Sequence, residues 1–125
     1  MLKILETVPA RLEENILLAA FAALYPNWTT SASLLAFYKE QLGREFSAQQ
    51  LRMALQRGTR DCLIERRTSV DPALKVDNPR RGRIVVLEHR MTAAGVTIFN
   101  RRERERAIIL GYDPVFIALA DDEAG

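Results

Sequence analysis

The sequence predicts a single α+β domain over residues 1–125, built from three helices, a two-stranded β-hairpin and an additional C-terminal helix. Three observations predict this order. Apolar residues recur at helical spacing in three stretches before residue 61. Two stretches rich in β-branched residues follow, on either side of a charged loop, and a capped helical pattern resumes at Thr92. An apolar content of 48% over 125 residues is sufficient for one packed core.

The first two helices are delimited by turn and capping residues. Pro9 suits the first position of a helix, and Tyr25-Pro26-Asn27 ends it. Hydroxyl side chains at residues 29–31 can cap a second helix over residues 31–42, and Gly43 suits the left-handed position after its last turn. The apolar stripes comprise Leu12, Ile16, Leu17, Ala20, Phe21 and Leu24 in the first helix and Leu34, Leu35, Tyr38 and Leu42 in the second.

A third helix is predicted over Ser47 to Arg60, with Ser47 as its N-cap. Only residues 43–46 join it to the second helix, so the two helices are expected to form a helix-turn-helix with Phe46 packed between them. Its core-facing side, on a wheel of about 100° per residue, comprises Ala48, Leu51, Ala54, Leu55 and Gly58.

The opposite side of the third helix carries glutamine and arginine with no carboxylate among them. Gln and Arg can form bidentate hydrogen bonds with adenine and guanine in a DNA major groove, and Arg also contacts phosphates. This face therefore predicts a DNA-recognition helix, and the alternative for the pattern taken alone is an ordinary solvated helix face. The candidate DNA-binding residues of the helix are Ser47, Gln49, Gln50, Arg52, Met53, Gln56, Arg57 and Arg60.

Two predicted strands after the third helix form the β-hairpin. Cys62–Arg67 and Arg83–Arg90 have strand composition, the second being especially rich in β-branched residues. The long loop between them, residues 68–82, is charged and ends in a basic tip. This tip supplies the remaining candidate DNA-binding residues, which are Arg80, Arg81 and Arg83.

The stretch LGREFSAQQLRMALQRGTRDCLIERR, with EHRMTAAG after it, resembles the winged helix-turn-helix superfamily, in particular regulators of the MarR and PadR types. The matching positions are Gly43, Ser47, Leu51 and Leu55, then Leu63-Ile64-Glu65-Arg66, then Met91-Thr92-Ala93-Ala94-Gly95. The resemblance covers roughly residues 12–100. Three features depart from it: Cys62 stands where such domains often carry Gly, the wing loop is longer, and the last twenty residues fit no known pattern.

The resemblance implies a DNA-binding arrangement. With the third helix in a major groove, Gln49, Arg52, Met53 and Gln56 would meet base edges, whereas Arg57 and Arg60 would meet phosphates. The arginines of the hairpin tip would lie along the backbone or in the adjacent minor groove. Residues 1–8 would then form an N-terminal arm, residues 9–91 the winged-helix core, and residues 92–125 a C-terminal helix and tail with a possible role in dimerisation.

The distribution of charge supports a polyanionic partner. Residues 44–106 contain fifteen Lys and Arg against eight Asp and Glu, whereas residues 107–125 contain no Lys or Arg and four Asp and Glu. A basic centre beside an acidic tail is typical of a chain whose central surface binds a polyanion. An Arg-rich surface that serves solubility, or a GC-rich genome, would explain the same arginines without DNA binding.

The C-terminal part is predicted to form a helix with Thr92 as its N-cap, over Ala93 to Leu110, ended by Gly111. Its charged run, Arg101 to Arg106, indicates a solvated face. The apolar run Val115 to Leu119 is expected to be buried, either within the chain or against a second copy. A homodimer formed through this region would read a two-fold symmetric DNA site.

Other functional classes have little support. The lone histidine, His89, has no metal-ligand neighbours in the sequence and is expected to be a packed or solvated strand residue. No nucleotide-binding loop, nucleophile motif or cofactor motif is found, so neither an enzyme nor a bound cofactor is predicted. Cys62, the single cysteine, is expected to pack in the core, and a reducing cytoplasm suits it. The longest apolar stretch, residues 16–25, is too short to span a membrane.

The preferred hypothesis is sequence-specific binding to double-stranded DNA by a small transcriptional regulator or a plasmid or phage accessory protein. The alternative is a winged-helix module that binds another protein in a replication, segregation or secretion assembly. A weaker third hypothesis is DNA binding through charge and shape without sequence preference. A protein-binding module would show exposed apolar anchors on the third helix, where only Met53 qualifies. The sequence leaves open whether a small molecule is sensed.

Overall fold

The computed structural model describes residues 12–70 and 85–120. Their elements follow the predicted α+β order, including the additional C-terminal helix. In chain order they are α1 (Glu14–Leu24), β1 (Thr29–Thr30), α2 (Ser31–Leu42), α3 (Ala48–Arg60), β2 (Ile64–Val70), β3 (Val85–Met91) and α4 (Ala93–Leu110). The strands form one antiparallel sheet in the order β1-β3-β2.

The helix α1 lies at the centre of the fold. Its residues Ile16 to Ala22 are all buried, because this stretch is apolar on every side. Burial therefore extends beyond the predicted stripe to Leu18, Ala19 and Ala22. The Tyr38 hydroxyl of α2, itself fully buried, donates to the backbone oxygens of Ile16 and Leu17, both at 3.2 Å. The predicted start of this helix at Pro9 is wrong, because the backbone at Glu13 is still extended; Pro9 itself lies outside the described residues.

The turn between α2 and α3 has the predicted helix-turn-helix geometry. Gly43 adopts the left-handed conformation (φ 64°), and its N–H donates to the Lys39 oxygen at 3.0 Å. Phe46 is buried edge-on against Tyr38, with ring centroids 5.3 Å apart. The predicted packing of Phe46 between the helices is therefore confirmed.

The predicted two-stranded hairpin is part of a three-stranded sheet, because β1 pairs with β3 as a third strand. Thr29 pairs with His89 of β3, and Thr30 pairs with Glu88. Thr30 also caps α2, since its side-chain oxygen accepts from the Ser33 N–H at 3.2 Å. A strand of two residues is too short to show the alternation of apolar and polar residues by which strands are predicted. The sequence therefore predicts only the capping role of these residues.

Cys62 does not begin β2 and does not pack in the core, so both expectations are wrong. It is exposed in the turn after α3, where its φ of 62° lies in the left-handed region. Glycine adopts this conformation without strain, which accounts for the glycine that similar sequences carry here. Beyond the turn, β2 begins at Ile64 and continues to Val70, past the predicted end at Arg67.

The charged run of α4 is not uniformly solvated, contrary to expectation. Glu103 is almost completely buried and accepts three hydrogen bonds, from Arg106 at 2.8 Å, from the Tyr112 hydroxyl at 2.7 Å and from the Val115 N–H at 3.2 Å. Glu103 thereby holds the C-terminal segment, residues 111–120, against α4. The Asn100 side chain adds a two-way hydrogen-bonded contact with the backbone of Ile117, at 2.8 and 2.9 Å.

The C-terminal segment nevertheless leaves apolar surface in solvent. The run from Val115 to Leu119 is predicted to be buried within the chain or against a second copy. Within the chain, only Ile117 of this run packs against the core. The exposed apolar residues here form what we call the C-terminal patch. It comprises Ile108, Ile109, Leu110, Val115, Phe116 and Leu119, which are 48–80% exposed.

We expect Gly95→Ala to destabilise the protein by about 1–3 kcal/mol, the usual cost of overpacking a core. A Cβ at this position would clash with the Leu63 carbonyl oxygen and lie 2.6 Å from Met91 Cγ. The measurement is urea unfolding followed by circular dichroism. Ala94→Ser, at the exposed neighbouring position, is the control and should change the free energy of unfolding by less than about 0.5 kcal/mol. Equal stability of the Gly95→Ala and wild-type proteins would contradict the packing described here.

Candidate nucleic-acid interface

The helix α3 has the predicted two-sided character. Leu51, Ala54, Leu55 and Gly58 are buried against the core, whereas Ala48, predicted on the same side, is exposed in the first turn. The candidate DNA-binding side chains of this helix are all exposed: Ser47, Gln49, Gln50, Arg52, Met53, Gln56, Arg57 and Arg60.

Two of these residues hold the start of the helix. The Ser47 oxygen accepts from the Gln50 N–H at 3.0 Å, and the Gln50 side-chain oxygen accepts from the Ser47 N–H at 2.8 Å. This reciprocal capping box satisfies two backbone donors that the first turn of a helix would otherwise leave free. Ser47 and Gln50 therefore have a structural role that limits their freedom to contact a ligand.

The remaining side chains of the face differ in their availability. Arg52 donates to the Gln49 side-chain oxygen at 2.9 Å, and Arg60 forms an exposed ion pair with Asp61 at 3.3 Å. The Gln56 and Arg57 side chains make no hydrogen bond or ion pair with the residues that the structure describes. Gln56 and Arg57 are accordingly the polar groups of this face that are freest to meet a partner.

The face of α3 has two flanks with different neighbours. On one flank, Gln50, Met53 and Arg57 line a depression. Glu13 and Glu14, at the start of α1, line the same depression. On the other flank, Gln49, Arg52 and Gln56 face the sheet, where the charged side chain that lines the same groove is Arg66. A polyanion would thus meet carboxylates on the α1 side and cations on the sheet side.

A groove of about 600 Å³ separates α3 from the sheet. We call it the helix-sheet groove. One wall is α3, with Arg52 and Leu55, and the other is the sheet, with Arg66, Leu87 and His89. The sequence did not predict that Arg66, Leu87 and His89 of the sheet lie next to α3. The alternation of β3 places Leu87, His89 and Met91 on one face, but only the tertiary structure shows that α3 lies opposite them.

His89 is a packed strand residue, as expected, but its imidazole has an unusual environment. The side chain is 3% exposed, and Nδ1 is buried without a hydrogen-bond partner among the described residues. Burial lowers the pKa of His89 below its ordinary value of 6.5, and the charge of Arg66 lowers it further. The ring is therefore neutral at pH 7.

The basic tip of the hairpin, Arg80, Arg81 and Arg83, lies outside the described residues. The structure does define the two strands that this loop connects. β2 and β3 pair without a break from Ile64↔Met91 to Val70↔Val85. Ile64 and Met91 are buried in the core, so the loop leaves the hairpin from the end that is farther from it.

No metal centre is found in the described ranges, where no three His, Cys, Asp or Glu side chains cluster. None of the helices in the described part of the chain is long and apolar enough to cross a membrane.

The solved structures with a similar fold include those of a protein named as a transcriptional regulator and of PadR. The TA0346 protein of Thermoplasma acidophilum, provisionally named a transcriptional regulator, matches with a TM-score of 0.55 and 14% identity, over 80% of this chain and 89% of its own. Bacillus subtilis PadR, in complex with operator DNA, matches with a TM-score of 0.50 and 17% identity, over 87% of this chain. The chain has a winged helix-turn-helix fold. In this winged helix, α2 and α3 are the helix-turn-helix and the β2-β3 hairpin is the wing.

The winged helix spans only 56% of the PadR chain that it matches. No family model matches the sequence, and no curated protein matches it. At these identities the resemblance to the winged helix-turn-helix superfamily is confirmed for the fold alone, with PadR among the similar structures.

We expect the stability of the winged helix to fall on acidification through the range in which His89 titrates. The pKa of His89 is lower in the folded state, so the unfolded chain binds the proton first as the pH drops below about 6.5. The contribution of the neutral His89 to the free energy of unfolding is therefore fully present above about pH 6.5. It decreases as the pH falls from there towards the lower pKa of the folded state. Urea unfolding at about pH 7.5 and about pH 5.5, above the range of most carboxylates, measures the loss.

His89→Phe is the control, because it removes the only histidine and its unpartnered Nδ1 while keeping a ring. Its unfolding free energy should depend less on pH over the same range. The pH dependence would be assigned to other groups if His89→Phe and wild type behaved alike.

Proposed function

We propose that this protein is a regulator that binds double-stranded DNA, with α3 in the major groove and the wing on the backbone or in the adjacent minor groove. One observation carries the proposal: α3 exposes a Gln and Arg face without a carboxylate, on a winged helix-turn-helix fold. The fold match to PadR, which was solved with operator DNA, supports the same placement.

The proposed base-reading residues are Gln49, Arg52, Met53 and Gln56, which are all exposed on α3. Arg57 and Arg60 are proposed to contact phosphates. Gln56 is the best candidate for specificity, because its amide has no partner among the described residues and can pair with adenine. Arg52 can keep its contact with Gln49 while its other guanidinium nitrogens approach the DNA.

The two flanks of α3 suggest how the duplex lies. The carboxylates of Glu13 and Glu14 border one flank, whereas Arg66 borders the other. We propose that one of the two phosphate backbones passes over the sheet flank, beside the strands that lead into the wing loop. Arg80, Arg81 and Arg83 would extend this contact along the backbone or into the minor groove.

A protein-binding role for the same face has less support. Binding surfaces between proteins depend on exposed apolar and aromatic anchors. Met53, 47% exposed, is the one large apolar side chain of α3 that is exposed. It borders a depression whose other lining residues, apart from Leu12, are charged or polar. The C-terminal patch is a stronger candidate for contact with protein, and we propose that it joins two copies into a homodimer.

We expect Gln56→Ala to relax sequence preference, because a base-reading pair contributes about 1–3 kcal/mol of discrimination. Arg81→Ala should instead weaken binding to all sequences alike and reduce the slope of log affinity against log salt by about 1. The measurement is fluorescence anisotropy with selected and random duplexes across a salt series.

Arg101→Ala is the control for these variants, because Arg101 is an exposed arginine on α4, distant in sequence from α3 and the wing tip. It should leave DNA affinity nearly unchanged. Absence of DNA binding by the wild-type protein even at low salt would overturn the proposed function.

We expect the wild-type protein to be a dimer at micromolar concentration and Ile109→Glu to be a monomer. Ile109 is 80% exposed in the C-terminal patch, and a buried carboxylate without a partner is costly at an interface. Multi-angle light scattering gives the mass. Ala94→Glu, exposed in the first turn of the same helix, should remain dimeric, and a monomeric wild type would exclude this interface.

A further inference from the structure

We infer that Arg102 of α4 supports DNA binding without touching the DNA, because its ion pair neutralises Glu14 beside the exposed face of α3. Arg102 is thus a positioning residue for the contact between Arg57 and a phosphate. This effect on DNA affinity rests on the proposed function. Three observations lead to it: the flank that the second phosphate backbone must pass, the carboxylates on that flank, and the arginine that pairs with one of them.

A helix in the major groove has a phosphate backbone on each side, because the groove is about 12 Å wide and a helix with its side chains nearly fills it. One backbone is proposed to pass over the sheet flank of α3. The other then passes the opposite flank, where Gln50, Met53 and Arg57 line the depression beside α1. Of these three side chains, Arg57 has the positive charge that attracts a phosphate.

Carboxylates on this second flank oppose the approach of a phosphate. Glu13 and Glu14, at the start of α1, line the same depression as Arg57. Like charges at the protein surface repel each other over about 8 Å in physiological salt. A carboxylate here can also compete with the phosphate for the Arg57 guanidinium. The flank therefore requires a counter-charge if a phosphate is to bind at Arg57.

Arg102 supplies this counter-charge from α4. Its Nη1 donates to Glu14 Oε1 at 2.7 Å and to the Asn15 side-chain oxygen at 2.8 Å. The paired side chains are only 33% and 35% exposed, so solvent screens them less than it screens a pair on the open surface. Arg57 makes no hydrogen bond or ion pair with the described residues. Arg102 thus holds Glu14, and Arg57 stays available for a phosphate.

Neighbouring arginines of α4 do not share this contact. Arg106 pairs with the buried Glu103 of the same helix at 2.8 Å. Arg101 is exposed and forms no ion pair in the described part of the chain. Arg101 and Arg102 therefore have the same charge at adjacent positions, but of these two only Arg102 pairs with the carboxylate beside α3.

The experiment measures binding of the full chain to a fluorescent random duplex by anisotropy, at about 50 mM and about 200 mM salt. We expect Arg102→Gln to weaken binding about two- to fivefold at the lower salt, the scale of one partly screened charge pair. The loss should be smaller at the higher salt. Arg102→Lys keeps the charge and should lose less affinity than Arg102→Gln.

The Glu14 variants separate the charge of Arg102 from a merely structural role. If the ion pair only attached α4 to α1, Glu14→Gln would break it as Arg102→Gln does and would weaken DNA binding equally. We expect the opposite: Glu14→Gln should bind DNA at least as tightly as the wild type. Combining Glu14→Gln with Arg102→Gln should restore the affinity that Arg102→Gln loses.

Arg101→Gln and Glu105→Gln are the matched controls, because they remove the same two charges from exposed positions on α4. Both should leave DNA affinity nearly unchanged. Urea unfolding of each variant, followed by circular dichroism, establishes that it is folded under the binding conditions.

Three results would each overturn the inference: equal DNA affinity in Arg102→Gln and wild type, equal weakening by Arg102→Gln and Arg101→Gln, or equal weakening by Arg102→Gln and Glu14→Gln. Each of them leaves the proposed function standing, because the wild type still binds DNA. Absence of DNA binding by the wild type at low salt is a different outcome, which overturns the proposed function and the inference together.

Discussion

The burial of α1 is the constraint on which the rest of the structure depends. Seven consecutive residues, Ile16 to Ala22, are removed from solvent, so other elements must cover the helix on every side. The helices α2, α3 and α4 and the strand β3 all contact it. Large apolar side chains each contribute about 1.5–3 kcal/mol when fully buried. The Tyr38 hydroxyl fixes how α2 sits on this helix by bonding to its backbone at two adjacent carbonyls.

The position of α2 then determines which side of α3 faces outward. Gly43, in the left-handed conformation, ends α2, and Phe46 packs against Tyr38 between the two helices. Ser47 immediately follows and caps the start of α3. Because this turn has so little freedom, the helix can bury Leu51 and Leu55 in only one rotation about its axis. Its Gln and Arg side is exposed as a consequence.

The register between β2 and β3 divides the charge of the wing in the same way. It places Glu65 opposite Arg90 and Arg67 opposite Glu88, and these arginines also flank the Trp28 ring at 4.4 and 4.6 Å. The same register places Arg66 opposite His89 on the groove side, where the described residues supply no carboxylate. A shift of one residue would exchange these faces. The electrostatic difference between the two sides of the sheet is therefore a property of strand pairing.

The sequence by itself determined the helix-turn-helix, the two long strands and α4, because these depend on local signals. Apolar periodicity, the Ser47 and Thr92 caps and the glycines at 43 and 111 each act within a few residues. The exposed face of α3 followed from the same periodicity. Long-range packing decided the features that were missed or wrong: the two-residue strand β1, the exposed Cys62 in its left-handed turn, and the burial of Glu103 by partners up to twelve residues away. Long-range packing also formed the helix-sheet groove, which no local signal predicts. Its walls come from residues as far apart in the chain as Ser31 and His89, and only the folded chain brings them together.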